Sequence, residues 1–290
     1  MDKNRIALSR AIEAYFIAAH ARQLSAHTLA DYDNTFRRFE EFLGRDPALC
    51  DIRPADVRAF LSSRNDLSAK TLRIHTGLSA PWIWAHKEGF VPQQIVRAVD
   101  PPRPEEREIV PYTEQEIRAM LAACDQSRSY ERSGKRRCNN SRPTAARDKA
   151  IVAFLLHTGV RGSELCNLSV RDVRLANQQA LVMGKGSKER LVEFSPNAAT
   201  HLWRYLATRD QPADHQSFFV SLDGQSLSRY ALRRLICGIG DRAGVPNANV
   251  HRFRHTFAIQ FLRNQGNIFA LERVLGHSTL DMVNRYLRIA

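Results

Sequence analysis

The stretch ALVMGKGSKERLVEF, residues 180–194, decides the fold class. Two short apolar runs, 180–183 and 190–194, flank Gly184-Lys185-Gly186-Ser187-Lys188. Such a pattern reads as a β-hairpin with a glycine-rich, basic turn. Working outward, the remaining periodicities of this half are helical. The apolar run 150–156 reads as a buried helix that stops at Thr158-Gly159, and another helix follows through Leu165 and Leu168. Further helices are expected at about 198–207, 228–243, 250–264, 268–275 and 280–288. The second half is therefore expected to be mostly helical α+β, with a small antiparallel sheet.

The first hundred residues carry helical spacing and no strand signal. Leu29, Tyr32, Phe36, Phe39 and Leu43 form one apolar stripe, with Ser25 as its cap. A second helix starts near Pro54, a favoured first-turn residue, and buries Val57, Phe60 and Leu61. A third begins after Ser68. Pro81, with Trp82 and Trp84 beside it, predicts a separate short fourth helix. Together these make a compact helical bundle over 1–100. Asp100-Pro101-Pro102-Arg103-Pro104 cannot continue a helix, so 101–111 reads as a Pro-rich, charged linker. A new helix opens at Thr113, where Glu116 completes a capping box and Ile117, Met120 and Leu121 supply the apolar side. The second domain is thus placed at 112–290.

Charge is unevenly shared. The chain carries a formal net charge of +13. Residues 1–100 hold 14 Lys/Arg against 12 Asp/Glu, and 101–290 hold 29 against 18. The positive field belongs to the second part and suits a polyanion such as nucleic acid. Residues 127–147 contain seven basic residues and one acidic one, with few apolar side chains to bury. This basic insertion is either a solvated loop or an arm that touches DNA. The five cysteines, Cys50, Cys124, Cys138, Cys166 and Cys237, are scattered, which predicts reduced thiols in a cytoplasmic protein. No apolar run approaches the roughly 20 residues that span a bilayer, and Glu13 and His20 interrupt any leader-like stretch.

The densest chemical signal is His251-Arg252-Phe253-Arg254-His255-Thr256-Phe257. On a helix His251, Arg254 and His255 share a face, while Phe253 and Phe257 point toward a core. A guanidinium offers a fork to two phosphate oxygens, and an imidazole can donate a hydrogen bond or move a proton. The histidine spacing also fits a metal, but the zincin pattern needs Glu where Arg252 stands. Two histidines satisfied within the fold would look the same. Arg161 lies near a helix start, where amide N–H groups favour anions. Lys185 sits in the hairpin turn, His277 in the break Leu275-Gly276-His277-Ser278, and Tyr286 nine residues later. Each signal is weak alone. Together they supply what phosphoryl transfer needs: cations around the phosphate oxygens, a nucleophile and a proton donor.

The order of these motifs resembles the tyrosine recombinases, the phage integrase family, over essentially the whole chain. Leu24-Ser25-x-x-Thr28-Leu29-x-x-Tyr32 and Phe39-x-x-Phe42-Leu43 resemble the family's SAM-like core-binding domain. Thr158-Gly159-x-Arg161-x-Ser163-Glu164-Leu165, Gly184-Lys185-Gly186-x-Lys188-x-Arg190, His251-x-x-Arg254-His255, Leu275-Gly276-His277-Ser278 and Tyr286 resemble the boxes of its catalytic domain, in order. The resemblance implies that Arg161 and Arg254 clamp the scissile phosphate. His251 and His277 would hydrogen-bond its oxygens, and His251 would assist deprotonation of Tyr286. Lys185 would be the general acid, and Tyr286 the nucleophile that forms a 3′-phosphotyrosine. The nearby cations are expected to lower the pKa of the phenol. Glu164 is given a supporting role. Further DNA contacts are expected from Lys188, Arg190, Arg252, Arg136 and Arg137. The implied activity is site-specific recombination of double-stranded DNA by a tetramer on two sites, without metal, nucleotide or other cofactor, and with room for accessory proteins. A type IB-like topoisomerase and a non-catalytic DNA-binding regulator are the alternatives.

Overall fold

The computed structural model describes residues 5–64, 68–101, 108–125, 127, 141–184, 188–276 and 285–290. The chain divides into two compact units, Met1–Arg107 and Glu108–Ala290.

The first unit contains α1 (Leu8–Ala21), α2 (Ala26–Leu43), α3 (Pro54–Ser62) and α4 (Ser68–Lys87). Ser25 caps α2 by accepting from the Thr28 amide, and Gly44 ends it in the left-handed region at φ +62°. Phe36 and Phe39 are the fully buried members of the α2 stripe; Leu29, Tyr32 and Leu43 pack around them. From the other helices Tyr15, Val57, Phe60, Leu78 and Trp82 complete this core. Two local expectations change. Residues 8–21 form a helix of their own, with Leu8, Ala11, Tyr15 and Ala19 buried. The third and fourth helices are one: α4 runs straight through Pro81. Ile74, Leu78, Trp82 and Ala85 lie at helical spacing across that proline and are all buried. Their packing outweighs the roughly 3 kcal/mol that an interior proline costs a helix.

The second unit contains α5 (Glu114–Ala123), α6 (Ala145–Thr158) and α7 (Gly162–Cys166). The strands β1 (Val173–Arg174), β2 (Gln179–Met183) and β3 (Glu189–Glu193) follow, and then α8 (Pro196–Leu206), α9 (Arg229–Ala243), α10 (Val250–Arg263) and α11 (Ile268–Leu275). The Thr113–Glu116 capping box forms in both directions, at 3.1 and 2.8 Å. Helix α6 is buried on every side from Ala150 to Leu155, as an all-apolar helix must be. The sheet is antiparallel in the order β1-β2-β3. β2 and β3 pair from Met183↔Glu189 to Gln179↔Glu193, and Ala180, Val182 and Val192 face the core. Gly184 N–H donates to the Lys188 carbonyl at 2.8 Å, closing the turn. Strand β1, two residues long, was not anticipated.

The basic insertion is tied at its ends. Arg142 N–H donates to the Asp125 carbonyl at 3.0 Å. Arg142 and Arg147 both pair with the wholly buried Asp148, each at 2.9 Å. These two arginines are therefore used inside the protein. Arg136, Arg137 and Cys138 lie outside the described residues, as does most of the expected 280–288 helix; within it 285–287 are helical.

Candidate functional site: a guanidinium cluster around a buried tyrosine

Three arginines from three elements converge on the C-terminal end of α11. Arg161 caps α7, where its amide donates to Glu164 Oε2 at 2.7 Å. Its side chain reaches Glu164 Oε1 at 3.0 Å, the Leu275 carbonyl at 3.4 Å and the Gly276 carbonyl at 3.0 Å. Arg254, on α10 and only 4% exposed, donates to the carbonyls of Gly159 at 2.9 Å and Leu275 at 2.7 Å. Arg190, on β3, donates to the Val274 carbonyl at 2.7 Å and holds both oxygens of Glu164, at 2.8 and 2.7 Å. The helix end offers the partial negative charge that lets these cations gather.

Glycine makes the approach possible. Gly159 ends α6 at φ +60°, and a Cβ there would lie 2.5 Å from the Phe257 ring. Gly276 ends α11 at φ +61°, with Arg190 Nη1 3.3 Å from where a Cβ would stand. Side chains at either position would push the arginines and the helix end apart.

Electrostatics set the protonation states. Burial pushes Glu164 up, but the hydrogen bonds from Arg190 and the Arg161 backbone outweigh it, and the carboxyl stays below its ordinary range. Burial and the neighbouring Arg161 draw the Arg254 guanidinium down to about 10, still charged at neutral pH. Burial, then Arg254 and Arg161, lower His251. Burial, then His251, Arg254 and Arg285, lower His255 to about 4. Both imidazoles are neutral at pH 7.

Tyr286 is 1% exposed, and its Oη lies 2.9 Å from His255 Nδ1. Two features differ from the expected arrangement. His255, not His251, meets the phenol. The phenol pKa is raised rather than lowered: burial outweighs the pull of Arg254 and Arg285. A cation lowers a phenol's pKa only by as much as its field exceeds the desolvation of the phenolate.

The expected DNA contacts divide. Lys188 is exposed. Arg190 and Arg252 are both held by partners within the protein, Arg190 by Glu164 and Val274 as described above. Arg252 pairs bidentately with Glu116 at 2.8 and 2.9 Å, donates to the Val110, Pro111 and Pro246 carbonyls, and lies 4.1 Å over the Tyr112 ring. Lys185 and His277 lie outside the described residues. Sequence reasoning missed His255 as a partner of Tyr286, although it stood in the quoted motif. In the first unit, a cleft between α2 and α4 is lined by Asn34, Arg38, Lys70, Arg73 and Thr76. No described helix is long and apolar enough to cross a membrane.

Residues 112–290 match the phage integrase family, and 12–80 match the phage integrase N-terminal SAM-like domain. The chain is similar to a tyrosine recombinase XerC of Pelobacter propionicus, 26% identical over 93% of this chain and 87% of the relative. It is also similar to a XerC of Staphylococcus epidermidis, 28% identical over 93% and 88%. Among solved structures, a lambda integrase dimer bound to a COC' core site matches 98% of this chain and 78% of its own, at TM-score 0.74 and 18% identity. A post-cleavage complex of XerH with palindromic difH matches 97% and 81%, at 0.72 and 20%. With both halves of the chain matched in order, and the first arginine box and the Arg254 box gathered in one cluster, the chain belongs to the phage integrase family of tyrosine recombinases.

Proposed function

We propose that this protein cuts and rejoins duplex DNA at specific sites, with Tyr286 attacking the backbone phosphorus and holding the 3′ end as a phosphotyrosine. The observation that carries the reading is the meeting of Arg161 and Arg254 on one carbonyl, Leu275, beside the helix that presents His255 to Tyr286. Two guanidinium groups can replace those carbonyls with phosphate oxygens and offset the charge that builds on them in the pentacoordinate transition state. Neutral His251 donates a hydrogen bond to the same phosphate. Lys185 and His277 enter on the family resemblance, Lys185 as the acid that protonates the departing 5′ oxygen and His277 as a further donor. Glu164 fixes Arg161 from both its backbone and its side chain.

The ester keeps the energy of the broken bond, so rejoining needs no nucleotide. In this reading 1–100 also contacts the duplex, and Arg38 and Lys70 in the α2–α4 cleft favour that, Arg73 there being paired with Asp31. The XerH complex and a lambda integrase tetramer on a Holliday junction support a DNA partner and an assembly of four protomers on two sites. The protein would act on DNA in the cytoplasm.

The test is covalent capture. The full chain is incubated with a library of nicked duplexes carrying genomic inserts, and adducts are isolated under denaturing conditions. The recovered inserts should share one site, and Tyr286→Phe should bind that site and form no adduct. An adduct that survives Tyr286→Phe sinks the assignment. Strand exchange between two labelled copies of the site distinguishes recombination from relaxation by a lone protomer.

A further inference from the structure

Given the nucleophile just proposed, we infer that His255 is a further catalytic residue, the proton acceptor for the Tyr286 hydroxyl. Its Nδ1 lies 2.9 Å from Oη, within the range a direct proton transfer requires. The other histidine of the motif, His251, has no described contact with the phenol. The two ring centroids stand 5.7 Å apart, with their planes tilted by 52°.

The phenol needs such a partner. It is 1% exposed, so bulk water does not solvate its anion, and burial makes spontaneous ionisation harder. Among the described residues, the groups facing the imidazole are His251 and Arg254 on α10, and Arg285 and Tyr286 of 285–287. Arg254 and Arg285 are cations and Tyr286 is neutral. This surrounding keeps His255 unprotonated at neutral pH, with a lone pair free to accept. With the proton on Nε2, Nδ1 is the acceptor and the phenol the donor.

The step balances. The phenolic O–H bond breaks and its proton passes to Nδ1. The freed Oη pair forms the bond to phosphorus, the bond from phosphorus to the 5′ oxygen breaks, and that oxygen takes its proton from the acid assigned to Lys185. In rejoining, the 5′ hydroxyl returns its proton to the group assigned to Lys185 as its oxygen attacks phosphorus, the phosphotyrosyl bond breaks, and His255 returns its proton to Oη.

The experiment measures single-turnover cleavage of the duplex recovered by covalent capture, using the full chain and its His255→Gln and His255→Ala variants. Both variants should bind the duplex within about twofold of wild type and cleave it about 100-fold more slowly, the lower end for loss of a general base. Wild type should hold its rate down toward pH 5. The variants should gain rate steadily with rising pH, because the phenol must then ionise unaided. Added imidazole should restore part of the rate to His255→Ala. Cleavage at the wild-type rate overturns the inference, and faster cleavage shows the contact to be a resting latch on the nucleophile. Slow cleavage with an unchanged pH profile and no imidazole rescue assigns His255 a structural role only. Loss of the adduct in Tyr286→Phe is checked in parallel, so failure of the nucleophile assignment is read separately.

Discussion

At the scale of single residues, His255 makes a prediction that needs no DNA. Its imidazole ionises at about 4 in the folded chain, against an ordinary value of 6.5. Between those values the unfolded chain binds the extra proton, so stability is full above pH 6.5 and falls as pH drops toward 4. Part of that stability is already lost by pH 5. Melting curves between pH 7 and pH 5 should shift down for wild type and less for His255→Gln; parallel shifts would refute the burial account. Glu164 acts in a separate window, since its stabilising charge is lost only as pH falls below the ordinary carboxylate range. Arg190 and Lys188 make a second test, because they share a motif but not an environment. Arg190→Met takes one partner from a carboxylate that is 2% exposed and should cost about 3 kcal/mol in denaturant unfolding. Lys188→Ala should change stability by less than about 0.5 kcal/mol, yet reduce the salt slope of DNA binding by about 1. In the sequence the two looked alike. A basic residue in a basic motif reads the same whether it faces solvent or an acid of the same fold, as Arg252 does with Glu116. The His255–Tyr286 contact was illegible because it joins residues 31 apart whose pairing no local pattern encodes.

At the scale of elements, local rules were readable wherever local chemistry decided the outcome. The Ser25 cap, the Thr113–Glu116 box, the β2–β3 hairpin and the bounds of α11 all follow from residues within a few positions of one another. Reading failed where tertiary packing took over. Pro81 signalled a break, but buried side chains on both sides of it hold α4 together. β1 is too short to show alternation and exists because β2 offers it an edge. The helix-ending glycines test how far local conformation and packing can be separated. Gly44 and Gly159 have nearly the same positive φ, but a Cβ at Gly44 meets nothing within 4 Å. Gly44→Ala should cost only the conformational penalty, about 1 kcal/mol. Gly159→Ala adds overpacking against Phe257 and should cost about 3 kcal/mol. It should also depress cleavage, because the Gly159 carbonyl holds Arg254. Equal denaturant midpoints for the two variants would show that Phe257 moves aside freely.

At the scale of the whole molecule, the net charge of +13 predicts binding that salt weakens steeply. A protein that neutralises six or more phosphates loses ~10³-fold or more in duplex affinity between 50 and 200 mM salt. Filter-binding titrations over that range should show it, and a flat response would remove the phosphate clamp. The arginine cluster carries a different lesson. Its bonds link Arg161 to Gly276, Arg190 to Val274 and Arg254 to Gly159, spans of 115, 84 and 95 residues. Contacts so distant along the chain close late, after the entropy of every intervening loop has been spent. The three guanidinium groups are therefore gathered only once the end of α11 has docked on the rest of the unit. A half-folded molecule has basic surface enough to adhere to DNA, but no assembled centre with which to nick it.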